Sequence, residues 1–403
     1  MTHDDRADAR FAFGKNWQAF LHAFSEERLL HAQARLLELL RLGSLRGASF
    51  LDIGSGSGLH SLAAYLSGAA RVISFDYDQH SVEATQSLRA YAGNPETCTV
   101  MQGSVLDEAF MQSLGKADIV YSWGVLHHTG DMRRAIRNAA IPVSDNGVLC
   151  LALYSDTVYR NGTLAGFPSP EEWLRKKQLY NRSSPIKKRC MEYRHVFDHW
   201  IKPAIPHPIN TLRACGHLWR TIESYTALRG MEFWTDIKDL LGGWPMEFIR
   251  EAECVALCRD ELGLEAVALH TGEGNTEYLF RPRGAVNYWD AVLAEQAEMP
   301  LPPPYEHAGG FMWRVHLPLL RHRGCSNEAP RKSVALLLEN RSLTGCQYSQ
   351  HEAIRRFGEG RYSHWGEDFF FSTPDNTDPN ENGRQYALRV PNEWIREIHP
   401  CAE

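Results

Sequence analysis

The short apolar run Ser49 to Ile53 ends in a glycine cluster, Gly54-Ser55-Gly56-Ser57-Gly58, and the helical pattern Leu59 to Leu66 follows at once. Nothing else in the chain constrains the fold as tightly. Glycines at the end of a strand let the backbone pass close to a ligand with no Cβ in the way. The helix that follows presents free N–H groups at the same place. The pattern then repeats without the glycines. Arg71–Phe75, Thr97–Met101, Asp118–Ser122 and Val148–Tyr154 read as buried strands, and His80–Ala92, Asp107–Leu114 and Met132–Ala140 as helices between them. Strands alternating with helices predict an α/β fold, with a parallel sheet built of right-handed crossovers.

The alternation stops after Tyr154. Residues 155–246 hold seven prolines and many aromatics, with no strand–helix repeat. It resumes with a helix near Phe248–Leu262 and two strands, Glu265–His270 and Thr276–Phe280. The sequence thus divides into an N-terminal helical segment (1–44), a core (45–154), a helical insertion (155–246) and the last helix and strand pair of the core (247–284). A linker (285–306) is marked by Met299-Pro300-Leu301-Pro302-Pro303-Pro304, and a β-rich tail (307–403) follows. In the tail Phe311–Leu317, Ser333–Leu338, Asp368–Ser372 and Gln385–Val390 are strand-like.

A dinucleotide fingerprint would read GxGxxG. Here the third glycine comes one residue early, at Gly58, and Leu59 takes its place. Asp52 stands two residues before the first glycine; a carboxylate there would repel a pyrophosphate and suit a cationic ligand. The next strand ends in Asp76-Tyr77-Asp78, where a carboxylate can accept both hydroxyls of a ribose. Two further segments follow the third and fourth strands: Gln102-Gly103-Ser104-Val105-Leu106-Asp107 and Tyr121-Ser122-Trp123-Gly124-Val125-Leu126-His127-His128.

Together these four segments resemble the class I S-adenosylmethionine-dependent methyltransferases, over residues 45–155 and the strand pair near 265–282. The resemblance implies a doubly wound, seven-stranded Rossmann-like sheet whose last strand is antiparallel. It implies that Gly54, Ser55 and Gly56 line the methionine part of S-adenosylmethionine, that Asp76 holds the ribose, and that Trp123 and Gly124 lie near the sulfonium. Asp52 and Tyr77 join that cofactor set. The sequence departs from the family at Ser104, where many members carry an acid for the adenine amino group; Val105 or Asp107 would cover the adenine edge instead. The entry segment Phe13-Gly14-Lys15-Asn16-Trp17 would fold over the cofactor or pin a surface helix.

Methyl transfer from a sulfonium is an in-line displacement. The protein aligns donor and acceptor, excludes water and removes a proton if the acceptor is a hydroxyl. His128 is the first candidate base and His127 the second; capping the loop or touching the cofactor is the alternative. Asp236 and Glu247, in segments 230–236 and 242–247, are further candidate bases or hydroxyl ligands, and as acids near helix starts they would equally serve as caps. The insertion holds 14 Lys and Arg against 9 Asp and Glu, while the whole chain is −6. Its clusters Arg175-Lys176-Lys177 and Lys187-Lys188-Arg189, interleaved with aromatics, suit an anionic or sugar-like acceptor, or an ordinary solvated surface.

The net charge of −6 argues against broad nucleic-acid binding. No apolar run is long enough to span a bilayer. The nine cysteines include no pair of CxxC motifs, so no metal site is expected, and with a polar, acidic start to the chain they read as reduced thiols in the cytoplasm. The tail carries Gly360–Gly366, dense in aromatics, and an Asp/Asn-rich run, Asp375–Asn380. Such a domain would stack on saccharide or serve packing and homo-oligomerisation. The expectation is a methyltransferase acting on a hydroxyl or carboxylate of a small molecule or glycan precursor. N- or C-methylation of a natural product, and a non-catalytic sugar- or protein-binding scaffold, stand as alternatives.

Overall fold

The computed structural model of the protein describes residues 24–163, 168–202, 205, 208–229, 233–272 and 274–398. The entry segment 13–17 lies outside these residues. The first described helix, α1 (Glu26–Leu40), starts at Ser25, whose hydroxyl accepts the Arg28 N–H, and buries Leu29, Ala32, Leu36 and Leu40 at helical spacing. The first part of the N-terminal helical segment, residues 1–23, also falls outside the described residues.

The core alternates β1 (Ser49–Ile53), α2 (Leu59–Leu66), β2 (Arg71–Asp76), α3 (Gln79–Tyr91), β3 (Cys98–Gln102), α4 (Glu108–Ser113), β4 (Ala117–Trp123), α5 (Met132–Ala140) and β5 (Val143–Tyr154). Two later strands, β6 (Leu264–Thr271) and β7 (Asn275–Pro282), complete a seven-stranded sheet of order β3-β2-β1-β4-β5-β7-β6. β7 runs antiparallel to both β5 and β6. This is the doubly wound sheet with an antiparallel last strand that the sequence led us to expect. The carboxyl ends of parallel strands are where open α/β sheets take ligands, and Ile53, Asp76, Gln102 and Trp123 all stand at such ends.

The described residues form two compact units. The first runs to Ser113 and adds His127–Ala135 and Glu171–Glu247. Besides β1 to β3 it holds the helices α7 (Pro170–Asn181), α8 (Pro185–Val196), α9 (Pro208–Arg229) and α10 (Phe233–Gly242). In α7 the buried face is Trp173, Lys177 and Tyr180, spaced i, i+4, i+7. The Tyr180 hydroxyl donates to Glu192 at 2.7 Å, and Glu192 in turn pairs with Arg189 at 3.0 Å.

The second unit holds β4 to β7, α6 (Asp156–Thr163), α11 (Glu251–Leu262) and everything beyond. Val148 to Ala152 in β5 are fully covered, as a central strand requires. After α12 (Trp289–Ala294) come β8 (Gln296–Leu301), β9 (Glu306–His307), β10 (Trp313–His316), β11 (Leu336–Glu339), β12 (Ser342–Leu343), α13 (His351–Phe357), β13 (Tyr362–Trp365), β14 (Asp368–Phe371), β15 (Tyr386–Pro391) and α14 (Asn392–Ile398). They make two four-stranded antiparallel sheets, β13-β14-β10-β9 and β12-β11-β15-β8, around Tyr362, Phe369, Phe371, Tyr386 and Leu388.

The structure corrects the reading of Met299–Leu301 as linker: these residues are strand β8, paired with β15. Pro300 is tolerated because β8 is an edge strand. The Gly360–Gly366 stretch is also largely interior. Arg361, Tyr362 and His364 are buried, so these side chains pack the tail. The Asp/Asn run is likewise spent on the fold. Asp375 pairs with Arg384, Asn376 accepts the Glu359 N–H, and Asn380 holds both the N–H and the carbonyl of Tyr305.

Candidate functional site

The glycine loop owes its path to left-handed backbone. Gly54, Gly56 and Gly58 have φ of 75°, 54° and 82°. At Gly58 a Cβ would meet the backbone of Thr85 at 2.7 Å, so α2 and α3 approach as closely as they do only with glycine there. The N–H groups of Gly54 and Ser55 both donate to the Phe75 carbonyl, at 2.8 and 3.0 Å, and tie the loop to the end of β2. The Ser55 and Thr85 hydroxyls meet at 2.9 Å.

Asp76 closes this arrangement. One carboxylate oxygen accepts the Gly56 N–H at 3.0 Å and the other the Asp78 N–H at 2.9 Å. Burial raises its pKa above the ordinary carboxylate value, against the pull of those two bonds. A carboxylate offers about four acceptor positions. The backbone N–H groups of Gly56, Tyr77 and Asp78 do not use all of them, so the residues present fit the ribose of a nucleoside cofactor.

Asp52 does different work. It is buried, its carboxyl takes the Ser61 hydroxyl at 2.5 Å, and the Ser74 hydroxyl donates to Ser61 at 2.8 Å. Burial pushes its pKa up to about 7. Its carboxyl thus anchors the start of α2 from below the loop. Tyr77 is 60% exposed, and its carbonyl accepts from Gln102 at 3.1 Å. The Ser104 hydroxyl accepts the Leu106 N–H at 3.2 Å within its own turn, Asp107 caps α4 through the Phe110 N–H, and Val105 is buried.

The same unit brings His127, His128, Glu247 and Lys177 into one neighbourhood. The two imidazoles lie with ring centres 4.5 Å apart. His128 Nδ1 is 2.7 Å from the Pro245 carbonyl oxygen, and the Glu247 N–H donates to the His127 carbonyl at 2.9 Å. The Glu247 carboxylate accepts the Met132 N–H with both oxygens, at 3.2 and 3.3 Å, and so caps α5. Burial raises its pKa. His127 is fully buried, and burial with its neighbour His128 holds its pKa well below the ordinary value. His128 keeps part of its surface accessible, yet burial and the Lys177 ammonium push its pKa down to about 3. Asp236 stands in the first turn of α10.

By sequence Lys177 belongs to a basic cluster that suits an anionic acceptor or an ordinary solvated surface. The structure excludes the solvated alternative for this residue: it is 3% exposed, its Nζ donates to the Leu240 carbonyl at 2.6 Å, and burial lowers its pKa to about 8. The signal was present in its spacing from Trp173 and Tyr180. The other clustered cations are partly spent on local contacts. Lys176 lies 5.1 Å from the Trp173 ring centre and 3.1 Å from His195 Nδ1, Lys188 lies over Tyr180, and Arg189 lies over Tyr193 and Trp234.

In the second unit, Trp123 ends β4 and is 43% exposed. Its indole N–H donates to Glu277 of β7 at 3.0 Å, a partner 154 positions away that no local pattern announces. Gly124 has φ of 76° and donates its N–H to the Ala152 carbonyl at 3.1 Å. Among the described residues no cluster of metal-ligating side chains is present, and no helix is long and apolar enough to cross a membrane.

Residues 44–214 match the family model described as a methyltransferase domain. Among curated proteins, the ribosomal protein L11 methyltransferase of Shouchella clausii is 27% identical over 109 residues, 26% of this chain and 34% of that protein. The chain thus spans about a third of the length of that relative. Among solved structures, an O-methyltransferase family protein from Burkholderia thailandensis is 13% identical, with 64% of this chain and 57% of that chain covered and a TM-score of 0.37. Magnesium protoporphyrin IX methyltransferase from Synechocystis, solved with bound S-adenosylhomocysteine, is 14% identical, with 63% and 83% covered and a TM-score of 0.35.

Proposed function

We infer, from the match of residues 44–214 to a methyltransferase-domain family model, that the chain is an enzyme that transfers a methyl group from S-adenosylmethionine. The observation that carries this reading is the bond of Gly56 N–H to Asp76 at 3.0 Å. It fixes a glycine loop and an acid with spare acceptor positions at the carboxyl ends of adjacent strands. Gly54, Ser55 and Gly56 would hold the amino-acid part of the cofactor and Asp76 its ribose, with Ser104 and Val105 at the adenine side. Trp123 and Gly124 would lie toward the reacting centre. The cofactor supplies an activated methyl group; the chain aligns the acceptor with it and keeps water out.

Within that reading the transfer is O-methylation in the cytoplasm, of a small molecule or glycan precursor, and a carboxylate acceptor is favoured over a hydroxyl. A hydroxyl needs a base, and a general base works best with a pKa near the working pH. His128, at about 3, is far below it, and Glu247 is engaged in capping α5. A carboxylate is already a nucleophile and asks only for positioning. His128, which keeps part of its surface accessible, then shapes the acceptor wall as a neutral imidazole. The division into a core, a helical substrate cap and a C-terminal β-domain belongs to the same reading.

The test is incubation of the full chain with methyl-labelled cofactor and pools of small anionic metabolites, followed by mild base. Methyl esters release labelled methanol under base and methyl ethers do not. Base-stable label in the product would overturn the carboxylate assignment while leaving methyl transfer intact. No transfer to any pool, with no cofactor binding, would overturn both.

A further inference from the structure

β7 runs antiparallel to β5, with its first residue opposite Tyr154, so Arg281 and Arg283 emerge at the far end of the sheet from the carboxyl end of β5. There, within the second unit, α11, β6 and β7 meet β8, the β11–β12 hairpin and β15 around a cleft of about 520 Å³. Five guanidiniums line it, those of Arg259, Arg281, Arg283, Arg341 and Arg389, against only two carboxylates, Glu265 and Glu298.

The ion pairs do not balance. Arg259 is held by Asp260, and Arg281 by Glu265 and Asp290. Glu298 serves both Arg389, at 3.4 Å, and Arg341, at 3.7 Å. Arg283 donates to the Arg259 carbonyl at 3.3 Å, and the carboxylate its charge acts on, Asp260, is already paired with Arg259. Two buried polar atoms in the wall, Arg389 Nη1 and Gln296 Oε1, have no hydrogen-bond partner. Burial holds the Arg389 pKa below its ordinary value despite Glu298.

The hairpin tip is also unusual. Asn340 and Arg341, with φ of 48° and 66°, make the two-residue turn between β11 and β12. Glycine is the usual second residue of such a turn. Here a long cation occupies a left-handed position at the rim of the cleft. An ion-pair network that only glued the last core helix to the tail sheet would need neither the surplus charge nor the open volume.

We propose that this cleft binds a small molecule bearing a phosphate or diphosphate group, with Arg283, Arg341 and Arg389 as its anion contacts. Guanidinium forks pair with phosphate oxygens two at a time. Three of them suit a phosphate, with its several oxygens, better than a single carboxylate. The volume lies within the range of small-molecule sites and leaves room for more than the anion. The site lies at the opposite end of the sheet from Tyr154, and it stands independently of the methyl-transfer reading.

The test is calorimetric titration of the full chain with inorganic pyrophosphate and orthophosphate at constant ionic strength. Arg283→Gln and Arg341→Gly are the variants, the second of which gives the turn its preferred residue and so preserves folding. Saturable binding of pyrophosphate, weakened at least about tenfold in each variant, is expected. S-adenosylhomocysteine affinity should be unchanged in Arg341→Gly. Absence of saturable pyrophosphate binding, or equal affinity in both variants and the parent, would overturn the proposal.

Discussion

The Nδ1 atom of His128 lies 2.7 Å from the carbonyl oxygen of Pro245. A carbonyl only accepts, so Nδ1 carries the proton and the neutral ring presents Nε2 as its acceptor. With its pKa pushed down to about 3, the ring should remain in this one tautomer through the physiological range. Long-range proton–nitrogen spectra of the imidazoles should show a protonated Nδ1 and no titration from pH 8 to pH 5. A midpoint near 6.5 would return His128 to the role of general base.

The same shift has a consequence for stability. A histidine whose folded pKa is depressed binds fewer protons folded than unfolded between the two values, so stability rises with pH across that window. For His128 the window runs from about 3 to the ordinary 6.5. Asp52, raised from 3.8 to about 7, acts in the opposite sense: its stabilisation is present below 3.8 and is lost as pH rises toward 7. Denaturant midpoints should therefore respond oppositely in two variants. Replacing His128 by Gln should reduce the loss of stability on acidification from pH 6.5 to 4.5, and replacing Asp52 by Asn should steepen it. Parallel curves for parent and both variants would show that neither group carries a shifted pKa.

Lys177 gives a third expectation. Its folded pKa of about 8 is below the ordinary 10.5, so the parent should gain stability relative to Lys177→Met as pH rises from 8 to 10.5, where the ammonium loses its charge. Below pH 8 the difference should be constant. The variant should also raise the pKa of His128, because Lys177 is one of the charges that depress it. A pH-independent difference, with the imidazole unmoved, would place Lys177 away from the histidine pair.

The Gly58 position tests the loop itself. Alanine there meets the Thr85 backbone and occupies a left-handed conformation, a combination expected to cost about 2–4 kcal/mol. Urea unfolding of Gly58→Ala should show that loss, and alanine at Gly47, where φ is 84° but nothing lies within 4 Å, should cost less. Equal losses at the two positions would mean that backbone conformation alone sets the requirement.

These residues also show how far the sequence could be read. The strand–glycine–helix run and the acid at Asp76 were legible because each rests on local order: a strand end, a turn and a helix start within a few residues. The helical character of α7 to α10 was legible too, but their charges were not. Lys177 looked like one cation in a basic cluster, and only its i, i+4, i+7 relation to Trp173 and Tyr180 distinguished it. Met299–Leu301 looked like a linker because prolines usually mark one, while its partner, β15, lies almost ninety residues on. The contact of Trp123 with Glu277 was hidden for the same reason. The basicity of His128 was out of reach altogether, since burial sets it and burial is a property of the packed chain.

The central claim is that the Gly54–Gly58 loop and Asp76 hold S-adenosylmethionine, the loop its amino-acid part and Asp76 its ribose. Calorimetric titration with S-adenosylhomocysteine, run on the parent and on Asp76→Ala, tests it most directly. The parent should bind one equivalent. The variant should lose two charge-assisted bonds, worth on the order of 2–4 kcal/mol, or roughly 30- to 1000-fold in affinity. Unchanged affinity in Asp76→Ala, or no binding by the parent, would contradict the account.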